Sequence, residues 1–448
     1  MKSKLLIISM LLCLLTAGTW GQTTLTLEQC QELAIQNSIN YRNSLLEQKA
    51  ALQTRKAALT KYFPVISANG SIFRTRDYLV EETIPGFDLK VYDGNPDHLA
   101  DATQFARFPG MSMAMLHNGT FGVLTAVQPV FAGRRIVNGN RLAVVGSNIA
   151  KEKAKLVEND VHLSTEEKYW QIIELAEKLS TIRSYQTFLD SLAEQVDAAY
   201  RAGLILKNDL LQVKTKQSEI QVNRSKLENG RALALMSFCQ YLGIVHDSTL
   251  ILIKDETPPA SPQSIRADHG KALHDRAEYR LLQQSVKVAK LQTAMTIGEY
   301  LPQAGIGLAG IYTQFDKADG IENGMVFGTV SIPLSGWWEA DYKIREHKLH
   351  ERTVANSAKD KEELLLLQMD KAWRDLTDAQ LELALSREMQ QQAEENLRVA
   401  NDSYRNGLVT ITDLLDAEAT SQQAEDQVTE AFANCRMKQS IYLQVTGR

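Results

Sequence analysis

Short stretches of alternating residues predict two pairs of β-strands in this chain. From Phe121 to Gln128, one set of side chains is apolar or β-branched at every second position, which is the period of a strand. Segments of about ten residues have the length of a tilted transmembrane strand. Pro129 and Pro333 cannot donate to a strand ladder, so we expect them at strand ends. The four predicted strands cover about 65–75, 119–128, 303–314 and 325–332.

The longest uninterrupted patterns are helical. Two long helices are predicted over about 134–199 and 337–400. At the helical rise each would be roughly 100 Å long, and a pattern beyond about 25 residues is typical of coiled-coil packing. Gly203 and Gly407 are expected to end these helices, because glycine is the usual left-handed stop residue. Shorter helices are predicted before each strand pair and after each long helix, at about 27–61, 268–297, 208–242 and 412–445.

The chain contains the same order of landmarks twice, and such long-period repeats indicate a duplicated structural unit. Tyr-Arg-x-Gly-Leu occurs at 200–204 and again at 404–408, each time followed by Asp-Leu-Leu. A Tyr-x-Pro motif precedes both strand pairs, ending at Pro64 and Pro302. We predict a first structural repeat over 22–257, a proline-containing linker over 258–267 and a second repeat over 268–448.

The number of strands has a consequence for assembly. Four strands cannot close into a barrel, because about eight is the smallest number that works. The sequence after residue 21 contains no apolar run long enough for a transmembrane helix. Lipid cannot satisfy an open sheet edge, so a chain that crosses the membrane through these strands must pool them with other copies. The predicted fold class is mainly α-helical with a transmembrane β-barrel contribution, and three copies would supply twelve strands.

The segment 76–118 separates the first two strands and is too long for an ordinary hairpin loop. Membrane barrels carry their long loops on the outer side. We interpret this segment as a cell-surface loop, with a periplasmic insertion as the alternative.

The first residues have the pattern of a secretory signal peptide. Lys2 and Lys4 precede an apolar run over 5–15, and small or polar residues follow through Gly21. We predict a signal peptide over 1–21, cleaved before Gln22. Cys13 is assigned to this signal rather than to a lipid anchor, because Leu12 precedes it where a lipoprotein signal would have a small residue.

Charge and cysteine content exclude several classes of function. The chain has 49 Lys and Arg against 54 Asp and Glu, a net charge of −5, which argues against a nucleic-acid partner. Cys30, Cys239 and Cys435 cannot all pair within one chain, and the sequence has no CxxC motif. Neither a disulfide framework nor a zinc site is therefore predicted.

No catalytic or cofactor-binding pattern was found in the sequence. His347 and His350 lie three apart on a predicted helix, but no acidic residue or cysteine completes a metal site. His269 and His274 are interpreted in the same way, as structural or exposed histidines. We assign no nucleophile motif, no GxGxxG fingerprint and no P-loop, so we predict no enzyme activity and no cofactor.

The order of these landmarks resembles that of the TolC-like outer-membrane efflux proteins, also called outer membrane factors. The segment 403–417 carries the most specific match, and the resemblance covers essentially the whole chain after the signal peptide. It implies a homotrimer with a twelve-stranded barrel in outer-membrane lipid and an α-helical tunnel across the periplasm. It also implies two partners, a periplasmic adaptor (membrane fusion) protein and an inner-membrane transporter of the RND or ABC type.

The resemblance also implies roles for particular residues. It places Asp413 and Asp416 at a periplasmic aperture, with Tyr404 at a position associated with holding the aperture closed. Asp in the first turn of a helix is also favoured by the helix dipole, which is the alternative for both acids. The residues implied at the adaptor-docking tips are Tyr200, Arg201, Gly203, Leu204, Asp209, Arg405, Gly407 and Leu408.

Trp337 and Trp338 follow the second strand pair and are candidates for an interfacial membrane anchor, because tryptophan favours the membrane–water boundary. Packing at the junction between strand and helix is the alternative.

The leading functional hypothesis is an outer-membrane exit duct of a tripartite efflux or type I secretion system. A periplasmic coiled-coil adaptor or tether without a pore is the alternative from another class. The sequence leaves the cargo open between drugs, metal ions and secreted proteins.

Overall fold

The structure is a computed structural model that describes residues 24–91, 105–316 and 318–448. The predicted signal peptide and the middle of the predicted surface loop lie outside the described residues. The chain is mainly helical, as predicted. The helices are α1 (Leu27–Asn37), α2 (Ile39–Leu59), α3 (Arg135–Arg201), α4 (Lys207–Leu242), α5 (Pro262–Ile265), α6 (His269–Ala272), α7 (Ala277–Glu299), α8 (Trp337–Arg405) and α9 (Ile411–Val445).

Ten strands lie in the described parts of the chain. They are β1 (Thr24–Leu25), β2 (Val65–Arg74), β3 (Val80–Ile84), β4 (Phe87–Lys90), β5 (Phe105–Phe108), β6 (Met111–Met115), β7 (Asn118–Ala132), β8 (Ile251–Leu252), β9 (Gln303–Phe315) and β10 (Ile321–Ser331). Among the described helices, none combines the length and the apolar character that a membrane-spanning helix requires.

The chain divides into two compact units, and each unit draws segments from both halves of the sequence. The described residues of the helical unit fall within Met1–Leu52, Gly146–Val286 and Val354–Arg448. Those of the strand unit fall within Gln53–Val145 and Lys287–Thr353.

The helical unit has two hydrophobic clusters. The larger one packs side chains from α1, α3, α4, α8 and α9, including the fully buried Tyr169, Phe238, Leu376 and Tyr442. The second cluster joins the last part of α3 to the first turns of α4 and α9. Helix packing of this kind, rather than helix propensity, supplies most of the stability of long amphipathic helices.

The first predicted helix is interrupted at Ser38, which we had not expected. Ser38 has an extended backbone with ψ of 118°, and its Oγ accepts a hydrogen bond from the N–H of Tyr41 at 3.2 Å. Serine is a favoured cap, so it begins α2 directly after α1 ends. A contact with α4 stabilises the break: the side-chain amide nitrogen of Asn37, the last residue of α1, donates to the carbonyl oxygen of Leu242 at 2.7 Å.

The strand unit contains one four-stranded antiparallel sheet in the order β10-β9-β7-β2. These are the four predicted strands, and their bounds differ from the predicted ones by a few residues. Within the part of the chain that the structure describes, β2 and β10 each have a strand neighbour on one side only. Both edges of the sheet therefore present unpaired backbone groups.

Pro129 does not end its strand, contrary to our expectation. Strand β7 continues to Ala132, and its pairing with β9 shifts between Pro129 and Phe131. A bulge of this kind tolerates a residue without an N–H donor, so the ladder resumes beyond the proline.

The predicted surface loop is not a plain loop. In its described parts it forms two short antiparallel ladders, β3 with β6 and β4 with β5. The carboxylate of Asp316 accepts hydrogen bonds from three consecutive backbone N–H groups, those of Leu116, His117 and Asn118, at 2.8–2.9 Å. This contact joins the end of the insertion to the turn that follows β9.

Candidate functional site

The two helix-hairpin turns of the helical unit have the same backbone geometry. At the first tip (residues 200–209), Gly203 has φ of +75° and Leu204 N–H bonds back to the carbonyl of Ala199. At the second tip (residues 404–413), Gly407 has φ of +70° and Leu408 N–H bonds back to Ser403. Paired bonds of this kind form a Schellman motif, which requires the left-handed conformation that glycine adopts readily. The predicted helix stops are confirmed at both positions.

Both tips present an exposed leucine directly after the glycine. Leu204 is 78% exposed and Leu408 is 76% exposed, and Leu206 of the first tip is exposed as well. Because Leu204 and Leu408 are this exposed, packing within their own chain contributes almost nothing to their stability. An apolar side chain at such a place is suited to contact with another molecule.

The two tips lie side by side in the helical unit. The second hydrophobic cluster contains Leu210 from the first hairpin and Leu414 from the second, and Tyr404 packs against it. The hydroxyl of Thr412 donates to the side-chain carbonyl of Gln212 at 3.0 Å. The structure thus brings together the first turns of α4 and α9, directly after the two hairpin turns, although they are about 200 positions apart in the sequence.

Asp413 makes a local contact that explains its position. Its carboxylate accepts hydrogen bonds from the N–H and the hydroxyl of Thr410 at 2.8 and 2.7 Å, and Thr410 in turn accepts from the N–H of Asp413. This is a capping box at the start of α9. The bonds from Thr410 hold the pKa of Asp413 below its usual value. Asp416 is exposed one turn later.

The remaining predicted tip residues occupy different environments. Burial raises the pKa of Tyr404, and the nearby Asp209 carboxylate adds a smaller increase. Asp209 accepts a bond from the N–H of Leu206 at 3.3 Å, at the place that Asp413 has in the other tip. Arg201 forms an ion pair with Asp197 at 2.6 Å. Tyr200 and Arg405 are exposed.

The two tryptophans differ in their contacts. Trp337 donates its indole N–H to the carbonyl oxygen of Tyr300 at 2.9 Å, which attaches the start of α8 to the residues just before β9. Trp338 is 83% exposed. A role of Trp338 as an interfacial anchor stays a prediction.

His269 and the three described cysteines have structural surroundings. One ring nitrogen of His269 contacts Asp370 at 2.9 Å, and the other contacts the hydroxyl of Tyr442. Cys30, Cys239 and Cys435 are free, buried thiols in the larger hydrophobic cluster. Among the described residues, no three His, Cys, Asp or Glu side chains gather as a metal site would require.

One glycine motif was overlooked in the sequence. Gly305, Gly307 and Gly310 have the spacing of a dinucleotide-binding fingerprint. They lie inside β9, between β7 and β10, and not at a turn from a strand into a helix. Because the fingerprint binds phosphate at the start of a helix, these glycines do not form such a site.

No model of a known protein family matches the sequence, and no curated protein was found to match it. Solved structures do match it over nearly its whole length. VceC, an outer membrane protein of Vibrio cholerae, has a TM-score of 0.73 and 14% identity over 94% of this chain and 96% of its own. The CmeC outer membrane channel of Campylobacter jejuni has a TM-score of 0.71 and 12% identity, over 94% and 85%. The MtrE outer membrane channel of Neisseria gonorrhoeae has a TM-score of 0.70 and 13% identity, over 94% and 88%.

Proposed function

We propose that this chain, which has the fold of bacterial outer-membrane channels, is an exit duct in the outer membrane of its own cell. In this proposal the protein is not an enzyme. It conducts substrates passively from the periplasm to the outside, and an inner-membrane transporter supplies the energy.

The amphipathic sheet of the strand unit carries this proposal. Residues paired across antiparallel strands lie on one face, and one such row is Ile66, Ala126, Leu308 and Val326. Its three larger members are exposed. The next row belongs to the opposite face and includes Ser67 and Thr125, whose hydroxyls are 2.7 Å apart. An apolar outer face and a more polar inner face are typical of transmembrane barrel strands.

The two free edges support closure by symmetry. All three pairings in the sheet are antiparallel, so β2 and β10 run in opposite directions. Placing β10 of one copy beside β2 of the next therefore continues an antiparallel ladder. Closing the ring removes the exposed edges, which lipid does not tolerate. We propose a homotrimer whose twelve strands form the barrel in outer-membrane lipid, with the long helices forming a tunnel in the periplasm.

The hairpin tips are the proposed docking surface for a periplasmic adaptor protein. The support is the repeated turn with an exposed leucine at Leu204 and Leu408. Asp413, Asp416 and Tyr404 are proposed to line the closed aperture at the same end, although the capping box gives Asp413 a second, structural role. Tripartite efflux with an RND-type transporter and type I secretion with an ABC-type transporter both fit this arrangement.

Purification in detergent tests the proposal. We expect light scattering to give the mass of a trimer, and we expect the trimer to form discrete channels in planar bilayers. A stable monomer without channel activity would contradict the argument from the free strand edges. It would also favour the alternative of a periplasmic adaptor or tether.

A further inference from the structure

The strand unit contains a cavity that the proposed duct function does not use. It has a volume of about 610 Å³ and lies between the last turns of α2, the first turns of α3 and the middle of α7. Four cationic side chains line it, and all four are exposed to solvent: Arg55, Arg141, Lys287 and Lys290. No Asp or Glu contributes to its lining.

The three stretches of sequence that form the walls of this cavity also lack acidic residues. The stretches 53–64, 133–145 and 287–298 supply its walls and contain Lys and Arg but no Asp or Glu. By contrast, the start of α8 mixes both signs, with Glu339, Asp341 and Glu346 among its cations. None of the ion pairs formed by the described residues includes any of the four lining cations. Their charge is therefore uncompensated within the described chain.

The remainder of the lining is mainly apolar. Leu59, Val137, Val144 and Leu291 contribute aliphatic side chains, and Tyr62 adds an aromatic ring. The volume is within the range of about 300–1,000 Å³ that is usual for small-molecule sites. An apolar cavity lined by uncompensated cations is complementary to an amphiphile with an anionic head.

The cavity lies at the junction of helices and strands. Tyr62 comes three residues before the start of β2, and α3 starts three residues after the end of β7. If the strands span the outer membrane, which is the function proposed above, this junction lies at the periplasmic surface of the bilayer. Lys and Arg beside a membrane attract anionic lipid headgroups.

We infer that this cavity is a binding site for an anionic phospholipid of the periplasm-facing leaflet. The phosphate lies among the four cations, and an acyl chain covers the aliphatic side chains. This inference rests on the proposed placement in the membrane, and it concerns lipid binding rather than transport.

Native mass spectrometry of the detergent-solubilised full chain tests the inference, with phosphatidylglycerol and phosphatidylcholine added as separate probes. The wild type is expected to bind phosphatidylglycerol at least tenfold more tightly than phosphatidylcholine. The quadruple variant Arg55→Gln, Arg141→Gln, Lys287→Gln and Lys290→Gln should lose this preference. The matched control removes four exposed cations from α8 and should keep it: Lys348→Gln, Arg352→Gln, Lys359→Gln and Lys361→Gln.

A second variant tests the apolar part of the site without altering its charge. Leu59→Gln with Val144→Gln should weaken binding of phosphatidylglycerol severalfold while binding of inorganic phosphate stays unchanged. Displacement of the lipid by millimolar inorganic phosphate would overturn the assignment in favour of a simple anion site. If a neighbouring copy fills the cavity, wild type and quadruple variant will bind phosphatidylglycerol equally weakly, which would also overturn it. Oligomeric state and conductance of the same preparations show separately whether the duct proposal holds.

Discussion

We expect the stability of the helical unit to depend on pH because of two half-buried acids on α9, Glu418 and Asp426. Burial, followed by the neighbouring Glu425, raises the pKa of Glu418 to about 6 from 4.5. Burial also raises the pKa of Asp426 to about 6, although Lys178 opposes the shift. A carboxyl group with a raised pKa in the folded state favours folding while it is protonated. Ionising Glu418 in the folded state costs free energy, and this loss of stability grows as the pH rises from about 4.5 through about 6.

The variant Glu418→Gln should therefore stabilise the helical unit at pH 7.5 and have little effect at pH 4.5. A shift of this size in a fully buried group corresponds to about 2 kcal/mol, and partial contact with water reduces the expected gain to about 1 kcal/mol. Denaturant titrations at both pH values, followed by circular dichroism, measure the difference. Glu394→Gln makes the same change at an exposed position of α8 and should show no such gain. Equal effects of the two variants at pH 7.5 would contradict the burial argument.

Asp413 has a structural role in the capping box of α9 and a proposed role at the periplasmic aperture, and an experiment must separate the two. Its carboxylate is bonded to Thr410, so removing it affects α9 in any case. Asp413→Asn combined with Asp416→Asn keeps the side-chain shape and removes two charges per copy. In a trimeric channel we expect weaker block by multivalent cations, because acids lining an aperture attract cations.

The matched control is Asp209→Asn, which changes the corresponding acid of the first tip and should leave block unchanged. Single-channel recordings in planar bilayers measure both conductance and block. If the paired variant behaves like wild type, Asp413 and Asp416 serve the helix start alone.

Helices and turns were the elements best predicted from the sequence. The long helices end at Arg201 and Arg405, within a few residues of the predicted ends, because the glycine that follows each of them adopts positive φ. The sequence could not show how much space surrounds these two glycines. In the structure, no atom beyond the glycine and its two chain neighbours lies within 4 Å of the position that a Cβ would take at either Gly203 or Gly407. A larger residue at these positions is therefore opposed by the backbone conformation and not by a clash.

This distinction gives a sharp test of the tips. Gly203→Val with Gly407→Val should cost about 1–3 kcal/mol per site, because a β-branched residue is strained at positive φ. The tips should then rearrange, so that trimers still form while adaptor binding weakens about tenfold or more. Gly230→Val is the control, since Gly230 also has open space around it but lies inside α4 without positive φ. Pull-down with the purified adaptor measures the effect, and normal binding by the double variant would refute docking through these turns.

Strand details were harder to predict than helices. Pro129 was expected to end β7, but a bulge carries the strand past it. The insertion between β2 and β7 was predicted as a long loop, whereas its described parts contain strands of four or five residues. Strands of that length carry too few alternating positions to stand out in a sequence, and their pairing depends on contacts far along the chain.

At the level of the whole molecule, the four strands of the main sheet were predictable and the lipid site was not. Four strands are too few to close a barrel, and within the described residues both edges of the main sheet lack a further strand, which supports the proposed assembly of several copies. The cationic cavity is assembled from three segments of α2, α3 and α7 that are far apart in sequence. Each segment has more Lys and Arg than the chain average and no Asp or Glu, but the sequence does not show that the three segments meet. Only the fold brings their charges together.

The orientation of the sheet in the membrane gives the last prediction. Val326 and Met325 are neighbours near the middle of β10, and their side chains point to opposite faces. Val326 belongs to the exposed aliphatic row with Leu308, whereas Met325 belongs to the row of Ser67 and Thr125. A lysine on the lipid face at the bilayer midplane costs about 2–4 kcal/mol, while the inner face of a barrel tolerates charge.

We therefore expect Val326→Lys to deplete the trimer from outer-membrane fractions. Met325→Lys should assemble normally and shift the ion selectivity of the channel towards anions, because its charge then faces the lumen. Fractionation followed by gel analysis of unheated samples measures assembly, and reversal potentials in planar bilayers measure selectivity. Equal loss of trimer in both variants would mean that the sheet does not separate lipid from lumen. The reverse outcome, with only Met325→Lys defective, would mean that the two faces are assigned the wrong way round.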